Sequence, residues 1–136
     1  MPARTLVEPG GRRDASLRGV ATWETVRRLA LELPEVEEST SHGQPCLKVA
    51  GKTFANMSSH EPGALVVRAD LDEKPLLIDA RPDLYYDTPH YAGYPALLVR
   101  LMALDEGELR ERLLDGWLIR APRRLVAQRD PDQSRT

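Results

Sequence analysis

The sequence predicts an α+β domain, an antiparallel β-sheet flanked by helices in a two-layer sandwich. Two observations predict it. Short apolar runs follow one another through turn-forming segments in the middle of the chain, which favours antiparallel pairing. Segments with apolar residues at helical spacing stand before and after them, so the helices gather on one side or at the ends of the sheet. A chain of 136 residues suffices for one domain with a real hydrophobic core, but not for two.

Taken in order, residues 1–19 read as a flexible leader, because Pro2, Pro9, Gly10, Gly11 and Gly19 punctuate a polar stretch without periodicity. The domain is expected over 20–128. Thr22 is the expected N-cap of a first helix whose apolar face is Val26, Leu29, Ala30 and Leu33, with Pro34 ending it. Glu35–Ser39 is a short acidic edge strand. Cys46–Val49 and Thr53–Met57 form a hairpin around Ala50-Gly51, the glycine supplying the positive φ of a tight turn. Pro62-Gly63 marks a turn, and Ala64–Ala69 is a buried strand. Asp72 is the expected cap of a short helix over Glu73–Ala80, where Pro75 falls in the first turn. Arg81–Tyr94 reads as a loop, and Ala96–Met102 as the last strand. Asp105 then opens a helix on which Leu109, Leu113, Leu114, Trp117 and Leu118 are expected to share a face. Pro122 starts a final helix over Arg123–Gln128, and 129–136 is a tail. The element order is α-β-β-β-β-α-β-α-α.

Composition excludes several classes. The longest uninterrupted apolar runs, such as Ala64–Val67 and Ala96–Val99, fall far short of the roughly 20 residues of a membrane span. The N-terminal stretch has no secretory pattern, and the lone Cys46 suits a reducing compartment, so a cytoplasmic location is expected. Net charge is −2, but it is unevenly spread. Residues 1–20 carry four arginines against two acids, and residues 123–136 do the same. Residues 21–122 therefore hold 11 basic and 17 acidic side chains, a balance of −6. A phosphate-binding surface is basic, because phosphate neutralisation and counterion release supply most non-specific affinity. Only the ends of this chain look that way.

The run Leu33-Pro34-x-Val36-Glu37-Glu38, then His42-Gly43-Gln44-Pro45, Lys48-Val49-x-Gly51-Lys52-x-Phe54-Ala55, Pro89-His90-Tyr91 and Leu98-Val99-Arg100-Leu101 resembles the MmcQ/YjbR family. Gly116-Trp117 followed by Ala121-Pro122 fits it too, so the resemblance extends from about Thr22 to Val126. It implies a CyaY-like fold. The family is commonly labelled DNA-binding, a label that rests on fold-level analogy, and it defines no catalytic residues to carry over.

Candidate binding residues fall in two groups. His42, Gln44, His90 and Tyr91 stand in turn-like segments beside strands, where two histidines brought together could hold an anion, a metal or a partner's carboxylate. The competing reading is structural: each imidazole pins its own loop through backbone carbonyls. Lys48, Lys52, Arg68 and Arg100 could form a basic stripe on one sheet face, joined by Arg123 and Arg124 near the C-terminus, with tyrosines available for base stacking. The competing reading there is a solvated face of cross-strand ion pairs. A metal set from His42, Cys46, His60 and His90 matches no zinc spacing, and Cys46 or Ser41 with His90 and Asp87 sits in no nucleophile signature. No catalytic, metal or cofactor site is therefore expected. The expected partners are DNA or a protein, with no membrane, and the expected state is a monomer or weak dimer.

Overall fold

The computed structural model describes residues 21–133, so the predicted leader lies outside the described residues. The elements run α1 (Trp23–Ala30), β1 (Val36–Ser41), β2 (Gln44–Val49), β3 (Lys52–Met57), β4 (Ala64–Arg68), α2 (Lys74–Ala80), β5 (Tyr85–Tyr86), β6 (Ala96–Arg100), a 3₁₀ turn (Leu101–Ala103), α3 (Glu106–Arg120) and α4 (Arg123–Gln133). Six strands make one antiparallel sheet in the order β1-β2-β3-β4-β6-β5. The predicted class stands. β5 is an addition inside the segment read as a loop. Its two residues are too few to show a strand period, and Tyr85 and Tyr86 pair with Val99 and Leu98.

Both hairpin turns at the β1–β2–β3 end are two residues long with positive φ throughout. They are His42 (52°) with Gly43 (77°), and Ala50 (50°) with Gly51 (83°). These are the turns whose twist matches that of the strands. Alanine has no side-chain oxygen to support a left-handed conformation, so Ala50 holds strain that asparagine would relieve. Ala50→Asn is expected to stabilise the protein by about 1 kcal/mol, read as a melting point higher by about 4 °C. An unchanged or lower melting point would show that the turn is not strained.

Alternation along the strands sorts the residues onto two faces. Leu47, Ala55, Val67 and Leu97 face the helical layer, where Leu29, Leu113 and Trp117 complete the core. A β-bulge adjusts this pattern. Leu47 pairs with Ala55 but Lys48 with Thr53, so Phe54 is the extra residue, and it is buried beside Ala55 in the same core.

The helices differ from expectation in their detail. α1 stops at Ala30, so Leu33 packs from the turn that follows rather than from the helix. Thr22 does cap α1, its N–H donating to Thr25 Oγ1 at 3.1 Å. The N-cap position of α2 is Glu73 rather than Asp72, and the turn before it is set by Asp70, whose carbonyl accepts from Glu73 N and Lys74 N and whose side chain accepts from Asp72 N. On α3, Asp105 accepts from Glu108 N at 2.8 Å as predicted. Leu109, Leu113, Gly116 and Trp117 are buried, whereas Leu118, one residue round from Trp117, is exposed. Trp117 donates its indole N–H to the Pro34 carbonyl at 3.0 Å. α4 continues past Gln128, where the tail was expected to begin.

Polar ties fix the acidic edge strand to the helices. Trp23 Nε1 and Arg27 Nε donate to the Glu38 carboxylate at 3.0 and 2.7 Å, which holds its pKa below the usual carboxylate range. Arg124 grips Glu35 through both terminal nitrogens.

Candidate functional site on the outer sheet face

The face turned away from the helices is built of rows that the register defines. One row runs Ser39, Cys46, Asn56, Val66, Leu98 and Tyr86. The segment from Asp87 to Pro95 folds back over this face through Tyr91. The Tyr91 ring packs on Ala64, Val66, Ala96 and Leu98 as a small second core. Beside it the face is open and holds a cavity of 330 Å³.

Three fastenings shape the cavity wall. Lys74 is 3% exposed and donates Nζ to the carbonyls of Tyr91 and Tyr94, both at 2.9 Å. It also meets the Asp87 carboxylate at 3.1 Å. Ser58 Oγ accepts from His60 N (3.0 Å) and Glu61 N (2.9 Å), which curls the β3–β4 loop. With both lone pairs so occupied, the Ser58 hydroxyl donates to Tyr91 Oη at 2.8 Å. The two loops are thereby locked together, and His60 stacks on His90 with ring centroids 3.7 Å apart. Tyr91 meets the edge of the His90 ring at 4.8 Å.

His42, from the left-handed turn between β1 and β2, lines the same cavity. The sequence-predicted histidines His42 and His90 therefore do share one site, and His60 joins them. At the opposite end stand Arg68 and Arg120. Arg120 arrives there because the β3–β4 ladder stops at Ala55–Val67. In that gap Gly116 of α3 packs against Val67 and the Phe54 carbonyl. One turn on, Arg120 Nε donates to Thr53 O at 3.1 Å. Burial lowers the pKa of the Arg68 guanidinium, and the neighbouring Arg120 charge lowers it further. Arg68 Nε is buried with no hydrogen-bond partner among the described residues. No carboxylate is among the described residues that line the cavity, although the body of the chain is acidic.

A family model described as YjbR matches residues 31–119, more than half of the chain. The chain belongs to the YjbR family. Uncharacterised proteins of Mycobacterium bovis (Mb2600) and Mycobacterium tuberculosis (Rv2570) are 31% identical to this YjbR protein over 121 residues, covering 79% of it and 94% of each relative. Among solved structures, the Deinococcus radiodurans protein DR2400, which carries a DUF419 domain, is similar with a TM-score of 0.65. That likeness covers 81% of this chain and 88% of the other at 18% identity, and it speaks for the fold.

The other sequence-predicted residues of this YjbR domain are dispersed. Gln44 pairs with Ser41 beside the His42 turn but does not line the cavity. Lys48 pairs across with Glu37 on one side and Thr53 on the other, and Lys52 is exposed next to the Ala50-Gly51 turn. Arg100 lies at the far end of β6 from Ala96, the partner of Arg68. Its guanidinium stands 4.2 Å over the Tyr86 ring. Arg123 is exposed on α4, whose Leu125 packs into the core on the helical side, and Arg124 is paired with Glu35. By the register Lys48, Arg68 and Arg100 share the outer face, with Arg68 and Arg100 at opposite ends of it, while Arg123 and Arg124 stand on α4.

Cys46 is buried and does not line the cavity, so the four-residue metal set does not assemble. Among the described residues no group of three or more His, Cys, Asp or Glu is placed to hold a metal ion. Asp87 is engaged by Lys74, while Ser41 and His90 both reach the cavity. Sequence reasoning missed Arg120 and Asn56 as lining residues and Lys74 as the fastener. A lysine in an otherwise apolar-faced short helix was the only local sign of Lys74. Among the described residues no helix is long and apolar enough to cross a membrane.

Proposed function

We propose that this YjbR protein is a cytoplasmic, non-enzymatic binding protein that takes a small ligand in the outer-face cavity. The observation that carries this reading is convergence. Loops around His42, His60 and His90, far apart in sequence, meet over one concave, mostly preformed site whose walls are pinned by buried bonds. The purely structural reading of the histidines would have them bonded to backbone carbonyls, and no such bond holds His42, His60 or His90 among the described residues. The buried, unpaired Cys46 suits a reducing compartment.

DNA binding is the second reading, supported by the family label and by exposed arginines such as Arg100 and Arg123. One experiment separates the two. Backbone amide NMR spectra of the full chain are recorded with a small-molecule fragment panel, and with a DNA duplex at two salt concentrations. Cavity ligand binding is expected to shift His42, His60, His90 and Tyr94 while leaving Arg123 and Arg124 in place. Silence at those four residues, with DNA-induced shifts at Arg100, Arg123 and Arg124 that vanish at high salt, would transfer the assignment to DNA.

A further inference from the structure

We propose that the cavity is a phosphate-monoester site, with the phosphate between Arg68 and Arg120 and the organic group toward His60, His90 and Tyr94. This rests on the reading of the cavity as a ligand site and adds the chemical class of the ligand.

Six other arginines among the described residues are matched with carboxylates. Arg27, Arg28, Arg81, Arg110, Arg112 and Arg124 each have an acidic partner, and the buried Arg112 holds Asp115 at 2.9 Å. Arg68 and Arg120, like Arg100 over Tyr86 and the exposed Arg123, have no carboxylate partner among the described residues, but these two line one cavity. Two like charges share a concave site in an acidic body, and no counter-charge to them stands among the described lining residues. The Arg68 Nε–H, like that of Arg112, is buried with no acceptor among the described residues, and of the two only Arg68 lines this cavity.

The geometry favours a tetrahedral dianion over a carboxylate. A guanidinium fork takes two oxygens in parallel, and two forks, one from β4 and one from the end of α3, need more oxygens than one carboxylate offers. Phosphate has enough, and its second charge matches the second guanidinium. The rest of the cavity is suited to an organic group. Val66 and Tyr91 also line the cavity, Tyr94 is exposed at the rim, and the imidazoles of His60 and His90, tilted 35° to each other, offer an aromatic surface with N–H donors at its edge. A volume of 330 Å³ lies at the small end for such pockets, which fits a monoester and excludes a duplex.

The test is a titration of the full chain in phosphate-free buffer with phenyl phosphate, inorganic phosphate and neutral benzyl alcohol, followed by calorimetry and by the arginine Nε–H signals. Phenyl phosphate is expected to bind, to shift Arg68 and Arg120 Nε–H together with His60, and to lose at least tenfold in affinity in Arg68→Gln. Arg68→Lys, which keeps the charge and removes the fork, is expected to lose part of that, and unchanged melting of both variants shows that they fold. If benzyl alcohol shifts His60 and Tyr94 while neither phosphate moves the arginines, the ligand site stands and the phosphate assignment is overturned. If no probe shifts any lining residue, both readings fall. Phosphate shifts confined to Arg123 and the chain ends would also overturn the proposal.

Discussion

Lys74→Met is expected to lower stability by about 3 kcal/mol and to loosen the segment that carries His90, Tyr91 and Tyr94. Lys74 is a poor choice for α2 itself, since a cation at a helix N-terminus opposes the helix dipole. Its value lies in its reach. The buried ammonium satisfies the carbonyls of Tyr91 and Tyr94 and the Asp87 carboxylate, three acceptors on one nine-residue stretch that has no other regular structure. Methionine preserves the packing of the stem and removes every one of those bonds, so the Tyr91 and Tyr94 carbonyls keep only their backbone donors and Asp87 loses its buried cation. Urea unfolding should show the lower midpoint with the slope unchanged, and amide exchange at Tyr91 and Tyr94 should accelerate more than exchange in β2 or β3. Phenyl phosphate affinity should fall as well, because the His60–His90 stack depends on that wall. A stability change under about 1 kcal/mol with unaltered exchange would mean that the Tyr91–Ser58 bond and the small outer core hold the segment unaided.

The contrast between Lys74 and His42 shows what a sequence can reveal about this domain. His42-Gly43 and Ala50-Gly51 are legible because turn chemistry is local: two residues determine the backbone and so the register of three strands. The helix cap at Asp105 and the buried stripe through Leu109, Leu113 and Trp117 are legible for the same reason. Features that depend on where separate elements meet leave no such trace. β5 owes its existence to the neighbouring β6, and Phe54 is buried beside Ala55 only because the bulge places it there. Arg120 reads as an ordinary basic residue at the end of a helix, a position the helix dipole already favours. Nothing in its surroundings in sequence announces that it lies beside Arg68 on the opposite side of the sheet. His60 was visible only as one histidine in a polar loop, and it gains meaning from the Ser58 hydroxyl that turns it toward His90.

Gly116→Val tests the meeting point that delivers Arg120, and it is expected to cost about 3 kcal/mol or more. A Cβ at Gly116 would lie 2.9 Å from Val67 Cγ1 and 3.1 Å from the Phe54 carbonyl oxygen, with the Arg68 carbonyl at 3.5 Å. Two of these neighbours are backbone in the sheet, so they cannot swing aside, and α3 has to move off the sheet. Helix propensity does not rescue the variant, since valine recovers only a few tenths of a kcal/mol relative to glycine. Gly107 on the same helix is the control. It is exposed, and its Cβ would meet only the Asp105 side chain at 3.4 Å, so Gly107→Ala is expected to be neutral or slightly stabilising. A Val67→Ala change should return part of the loss in Gly116→Val, because it removes the closest contact and spares the carbonyls. The displaced helix carries Arg120 with it. Phenyl phosphate affinity should therefore fall in Gly116→Val even under conditions where the protein is fully folded, and should recover partly in the double variant. Equal stabilities for Gly116→Val and Gly107→Ala would show that α3 does not need its close approach to β3 and β4, and that Arg120 reaches the outer face for another reason.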